Sequence, residues 1–178
     1  TPEQPPVGLP PTTDFEAATT AVVKKVGSAV VMITTSRLVE VNDFFFFGSS
    51  GYREEQGLGS GVIFRKDGYV LTNNHVINQA NKIFVVLPDG RSAQGRVVGA
   101  DRYTDLAVVK IDLNNLPVAE LGDSEKLQVG QLAIAIGNPL GESLNNTVTT
   151  GVVSALRRSL QVSDNVTLRD LIQTDASI

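Results

Sequence analysis

Six short apolar segments, each closed off by a turn signal, fill residues 29 to 111 and restrict what this chain can fold into. They lie at 29–36, 58–64, 69–72, 82–87, 92–98 and 106–111, and are rich in Val, Ile, Leu and Phe. Lengths of 4–8 residues suit strands better than helices. Asp67-Gly68 and Asp89-Gly90 are hairpin-type dipeptides between neighbouring segments. Six short strands at this spacing predict a closed antiparallel barrel.

A linker with its own turn residues (Asn114-Asn115, Pro117, Gly122-Asp123) leads to a second β group at 131–136, 147–156 and 170–174. Three strands cannot close a barrel, so this group reads as part of a second one. Ahead of the first barrel, residues 1–13 are rich in proline and threonine and read as an extended tether. A short helix is expected over 14–26. Thr13 and Glu16 have capping-box spacing; Phe15, Ala18, Val22, Val23 and Val26 recur at helical intervals; Gly27 marks a stop. The organisation expected is a tether at 1–13, helix plus first barrel at 14–113, and linker plus the first part of a second barrel at 114–178.

Composition narrows the chemistry. The 178 residues contain no cysteine and one histidine. Disulfides, thiolate zinc sites and cysteine nucleophiles are therefore excluded, and so is a multi-histidine metal site. Net charge is −4, with no basic cluster beyond Arg157-Arg158, so nucleic acid is not an expected partner. No apolar run approaches the roughly 20 residues of a membrane span. From Thr1 there is neither a charged n-region nor an apolar h-region, so any signal or transit peptide is expected to have been removed or never present.

Three features are candidates for chemistry. Gln56-Gly57-Leu58-Gly59-Ser60-Gly61 resembles a phosphate loop but has Val62 where a third glycine should stand. It also precedes a strand instead of a helix. It reads as glycines that let a strand enter a crowded barrel. His75 follows an apolar strand in Leu71-Thr72-Asn73-Asn74-His75-Val76. Such a histidine is either structural or a proton carrier near neutral pH. Asp105 stands at the start of the last first-barrel strand, either as a turn residue, as Asp101 reads, or as the acceptor of a histidine N–H. Segment 42–56 reads as a polar and glycine loop with four consecutive phenylalanines. They cannot alternate across a sheet, so they are either a loop base over the core or an exposed apolar patch.

Taken in order, seven stretches resemble the HtrA/Deg family of trypsin-like serine proteases. They are 57–64, 68–76, 104–111, 121–124, 135–139, 147–158 and 172–176. The resemblance runs from about residue 16 to the last residue. It implies an all-β, chymotrypsin-like double β-barrel with a short N-terminal helix and the second barrel incomplete in these residues. By motif, His75 is the general base and Asp105 its orienting carboxylate. The nucleophilic serine belongs to a Gly-Asn-Ser-Gly-Gly-Pro segment after the strand matching Ile172–Ala176, so beyond Ile178. Ser49, Ser50, Ser60 and Ser177 lack the oxyanion surroundings a substitute would need.

The resemblance implies a serine endopeptidase of protein quality control without metal or cofactor, acting on unfolded or misfolded polypeptides with small or aliphatic residues before the cut. It implies a homotrimer or larger homo-oligomer, downstream PDZ domains, and an extracytoplasmic setting such as the periplasm or the thylakoid lumen. Membrane association is expected only through a segment outside these residues. Arg157-Arg158 and the loop 159–168 are either a basic strand end and a solvated loop or, as the resemblance implies, a place where regulatory signals reach the active site, with an arginine contacting a neighbouring subunit or a sensing loop. The 178 residues alone are expected to be inactive and marginally stable or aggregation-prone. The rival readings are a non-catalytic chaperone-like or regulatory module and a plain β-barrel interaction domain.

Overall fold

The structure is a computed structural model that describes residues 12–42, 50–138, 146–163 and 165–178. Phe44 to Phe47, Ser49 and residues 1–11 of the expected tether lie outside them. Helix α1 (Thr12–Val26) begins two residues before the expected start, which puts Thr13 in its first turn. Asp14 lies in the first turn, and Lys24 and Lys25 in the last, each matching the helix dipole. The chain does not turn away at Gly27. It tightens into one 3-10 turn, Gly27–Ala29, before the first strand. The apolar stripe of α1 is only partly covered, since Phe15 and Val22 remain exposed.

Ten strands follow: β1 (Val30–Asn42), β2 (Ser50–Arg65), β3 (Tyr69–Asn73), β4 (Lys82–Val86), β5 (Ser92–Gln94), β6 (Arg96–Asp101), β7 (Leu106–Lys110), β8 (Leu132–Gly137), β9 (Thr147–Ser163) and β10 (Val166–Thr174). A four-residue helical turn, α2 (Asn74–Ile77), sits between β3 and β4. The first seven strands form one antiparallel sheet in the order β5-β4-β1-β2-β3-β7-β6; the last three form a second, β10-β9-β8.

Three expectations are corrected. Residues 50–56 are not loop: they extend β2, pairing Ser50 with Asn42 through Gln56 with Ser36, so the first hairpin has long arms. Residues 159–163 and 166–168 are not a solvated loop either, because β9 continues to Ser163 and pairs with β10, Leu160 facing Leu168. Finally, the segment 92–98 is two strands, split at Gly95.

That split explains how the first sheet curls. At about 4.8 Å between neighbours, six spacings would place the edges of a flat seven-stranded sheet about 29 Å apart. The edge strands β5 and β6 are nevertheless joined by Gly95 alone, a step of at most about 7 Å. The sheet must therefore roll until its edges meet. Closure comes from the chain, since no β5–β6 ladder is formed among the described residues. A Cβ on Gly95 would lie 2.5 Å from Val109 Cγ1 and 3.3 Å from Ile83 Cγ2. Only glycine fits where the two edges converge on the core.

Inside the roll, Val31, Ile33, Ile63, Val70, Val85, Val109 and Ile111 are fully buried. Burial alternates along β3, at Val70 and Thr72, and along β7, at Ala107 and Val109, as strands facing one core require, whereas on β1 Val30 and Met32 are buried as well as Val31 and Ile33. The two predicted hairpins close as expected: Gly68 (φ +92°) donates its amide to Arg65 O at 3.0 Å, and Gly90 (φ +86°) to Leu87 O at 3.0 Å.

Gly95→Ala is expected to lower unfolding free energy by about 1–3 kcal/mol through overpacking. Gly99→Ala, whose new Cβ meets nothing within 4 Å, should change it by about 0.5 kcal/mol at most. Urea titrations of the two variants check this.

Candidate active site

β3 and β7 are paired in register, Asn73 opposite Leu106. One step beyond that pair, β3 gives way to α2 and β7 has not yet begun. His75 and Asp105 therefore leave the same end of neighbouring strands. The ladder gains one more rung there, Asn74 N–H donating to Asp105 O at 2.9 Å. Asp105 holds a left-handed backbone (φ 56°), a conformation that aspartate tolerates and most residues avoid.

The side chains then meet. Asp105 Oδ1 accepts the main-chain N–H of His75 at 2.9 Å, and Oδ2 lies 2.6 Å from His75 Nδ1. Asn73 Nδ2 donates to Asp105 O at 3.1 Å and to Oδ2 at 3.4 Å. A carboxylate only accepts, so this geometry places the ring proton on Nδ1 and leaves Nε2 as the open lone pair. The Asp105 side chain is 22% exposed, and that of His75 is 71% exposed. The carboxylate is thus set back behind an imidazole that faces solvent.

His75 looks into a cleft of about 410 Å³ between the two sheets. Leu58, Gly59 and Ser60 form one wall with His75 and Val76; Ala135 to Asn138, Thr147 and Thr149 form the other; Ser177 and Ile178 also line it. A hydrogen bond joins the two walls. Ser60 Oγ accepts the N–H of the buried Asn138 at 2.8 Å. Asn138 Oδ1 in turn accepts Asn146 N–H at 2.9 Å.

Sequence reading singled out His75 and Asp105, and the structure brings them together. It set Ser60 and Ser177 aside as nucleophiles. Ser60 is a bridge between sheets, and Ser177 offers its main-chain carbonyl to Thr149 Oγ1 at 2.5 Å. Asn73 and Asn138 were passed over. Their only signal was position, Asn73 at a strand end beside the histidine and Asn138 between Gly137 and Pro139. Of the arginine pair, Arg158 Nε donates to Gln173 Oε1 at 3.2 Å, and Arg157 (φ 54°) reaches Glu125 at 3.7 Å.

Asp101 is the turn residue it was expected to be. It accepts Tyr103 N–H and the Thr104 hydroxyl, both at 2.9 Å, and so ties the turn that delivers Asp105. These bonds, the Tyr103 amide first, hold its carboxyl below the ordinary carboxylate range.

Residues 59–178 match the family described as trypsin-like peptidase domain. Over 173 residues the chain is 48% identical to the putative serine protease HhoB of Synechocystis sp., covering 88% of this chain and 40% of that protein. It is 41% identical over 187 residues to the probable periplasmic serine endoprotease DegP-like of Halomonas elongata, covering 89% of this chain and 38% of that one. Among solved structures, the HtrA-type protease AlgW with decapeptide superposes with a TM-score of 0.73 at 39% identity, covering 90% of this chain and 52% of that one. The chain therefore spans about two-fifths to one half of the proteins it resembles.

Asp101 binds its proton less readily folded than unfolded. Its contribution to stability is present above the ordinary carboxylate range and is lost as pH falls through the lowered value. Between about pH 5 and about pH 3 the urea midpoint should fall, and fall less steeply in Asp101→Asn. Titrations at several pH values check the difference in slope.

Proposed function

The chain belongs to the HtrA/Deg family of trypsin-like serine proteases, and we propose that His75 and Asp105 are the base and the orienting carboxylate of a serine endopeptidase. One observation carries the reading. A single carboxylate engages both the main-chain amide and the ring Nδ1 of one histidine, at 2.9 and 2.6 Å, at the rim of an open cleft.

The chemistry follows from that geometry. His75 Nε2 takes the proton of a serine hydroxyl as its oxygen attacks the peptide carbonyl, then returns it to the departing amine. Asp105 holds the tautomer that makes Nε2 the acceptor and stabilises the imidazolium that forms. Exposure of the ring suits a group that must meet both nucleophile and leaving group. The nucleophile in this reading is a serine C-terminal to the residues described, in the segment the family resemblance implies. The reaction calls for neither metal nor organic cofactor.

The substrates proposed are extended segments of unfolded or damaged polypeptides. The open cleft between two sheets supports this, as do relatives named serine endoproteases and a structural neighbour solved with a decapeptide. The relatives named periplasmic support an extracytoplasmic setting and, within it, a role in protein quality control. Exposed Phe15 and Val22 on α1 give the protein an apolar face that a homo-oligomer would cover.

In the full-length protein, Asp105→Asn should lower kcat by about 10⁴-fold, by leaving the wrong tautomer at His75. His75→Ala should lower it by roughly 10⁴- to 10⁶-fold and abolish labelling by a fluorophosphonate. Peptide hydrolysis assays with active-site labelling check both. Unchanged labelling in His75→Ala would remove the basis of the assignment.

A further inference from the structure

The glycines at 57, 59 and 61 lie on one face of β2. Each stands where a Cβ would strike something, but they strike different things. A Cβ on Gly57 would lie 2.6 Å from Thr35 Oγ1, and one on Gly61 would lie 2.7 Å from Val70 Cγ1 and 2.8 Å from Ile33 Cδ1. Those neighbours belong to the first sheet and its core. A Cβ on Gly59 would instead lie 2.5 and 2.6 Å from the two γ-methyls of Val76 and 3.2 Å from its Cβ. Val76 follows His75 in α2 and packs on the core.

We propose that Gly59 is a positioning residue: its bare backbone is the seat for Val76, and that seat sets the place of the His75 ring in the cleft. The inference rests on the reading of His75 as the general base.

The direction of yielding follows from what holds each side. β2 is anchored on both sides of the contact. Leu58 and Ser60 pair with Thr34 and Met32 of β1, Thr72 Oγ1 donates to Ser60 O at 2.8 Å, and Asn138 N–H donates to Ser60 Oγ at 2.8 Å. α2 is one turn of four residues; its N-cap Asn73 makes no side-chain cap bond, and its first two amides are held by Asp105 itself, the partner whose geometry to the ring is in question. Val76 cannot swing clear, because a β-branched side chain in a helical turn has one strongly preferred rotamer and both of its methyls meet the added carbon. A methyl at position 59 therefore displaces α2, and the ring of His75 moves relative to Asp105 and to whatever occupies the cleft.

The test is a double-variant cycle in the full-length protein with two readouts. The first is peptide hydrolysis. The second is the downfield Nδ1 proton of the histidine bonded to a carboxylate, assigned in the magnetic resonance spectrum by its absence in His75→Ala. Gly59→Ala should lower kcat by about 10²-fold with little change in KM, the loss expected for a displacement near 1 Å, and should shift or broaden the Nδ1 signal. Adding Val76→Ala removes both colliding methyls. The double variant should recover kcat to within a few-fold of Val76→Ala alone and restore the signal. Gly61→Ala, which strikes Val70 and Ile33 and approaches Leu71 O at 3.3 Å but meets nothing of α2, should lower the unfolding midpoint while leaving both kcat and the signal of the folded protein near wild type.

A Gly59→Ala protein with wild-type kcat and signal would overturn the proposal, as would a loss that Val76→Ala fails to restore. If the wild-type protein hydrolyses nothing, the catalytic reading fails. The Nδ1 signal then still decides whether Gly59 places the ring.

Discussion

Two oxygens of one carboxylate reach one histidine through its backbone and its ring, and this is possible only if two strands are held in fixed register. A slip of one residue between β3 and β7 would turn every side chain on them to the opposite face. The core residues Val70, Ala107 and Val109 would leave the interior together with the loss of the Asp105–His75 contact. The packing that stabilises the first sheet and the alignment that joins His75 to Asp105 are thus specified by the same pairing. Asp101 and Asn73 add local ties at either side of the contact.

The second sheet meets the first along the cleft. The Ser60 hydroxyl accepts the amide of Asn138 where β8 ends. Gly137 is shaped to this bridge, since a Cβ there would come within 3.1 Å of Ser60 Oγ. At the fifth residue of β9, a Cβ on Gly151 would collide with Asp175 and Ala176, while Asp175 Oδ1 accepts the amide of Val152 at 2.7 Å. Residues approaching Ile178 are in this way drawn against β9 and towards the cleft that His75 lines.

Much of the first sheet could be read from its residues because alternation and turn chemistry agreed there. Asp67-Gly68 and Asp89-Gly90 each needed a left-handed glycine and obtained one. The arms at 50–56 and at 159–163 with 166–168 were read as loop. Leu160, Val162, Val166 and Leu168 do alternate with polar residues there, but none of them is buried, and the pattern in each stretch is too short to outweigh the polar residues around it. The break at Gly95 was hidden for a different reason: Gly95 stands between Gln94 and Arg96 with no turn dipeptide, and only the three-dimensional convergence of two edges demands a bend. At the site, His75 and Asp105 were each ambiguous alone. Family resemblance paired them, and the geometry shows the contact. Ser60 offered no such hint, because a hydroxyl that bridges two sheets looks in sequence like any strand serine.

Gly95 also constrains how such a chain can vary in length. The hairpin tip at Gly90 is open, since a Cβ there would meet nothing within 4 Å, and added residues would lengthen that loop at small entropic cost. The joint between β5 and β6 has no such slack. A residue inserted there would have to bulge into Val109 and Ile83 or push the two edges apart, and a deletion would pull the outer strands out of step with β4 and β7. Insertions and deletions should therefore collect on the rim of the barrel and spare its seam, leaving the histidine–aspartate geometry insulated from most changes in chain length.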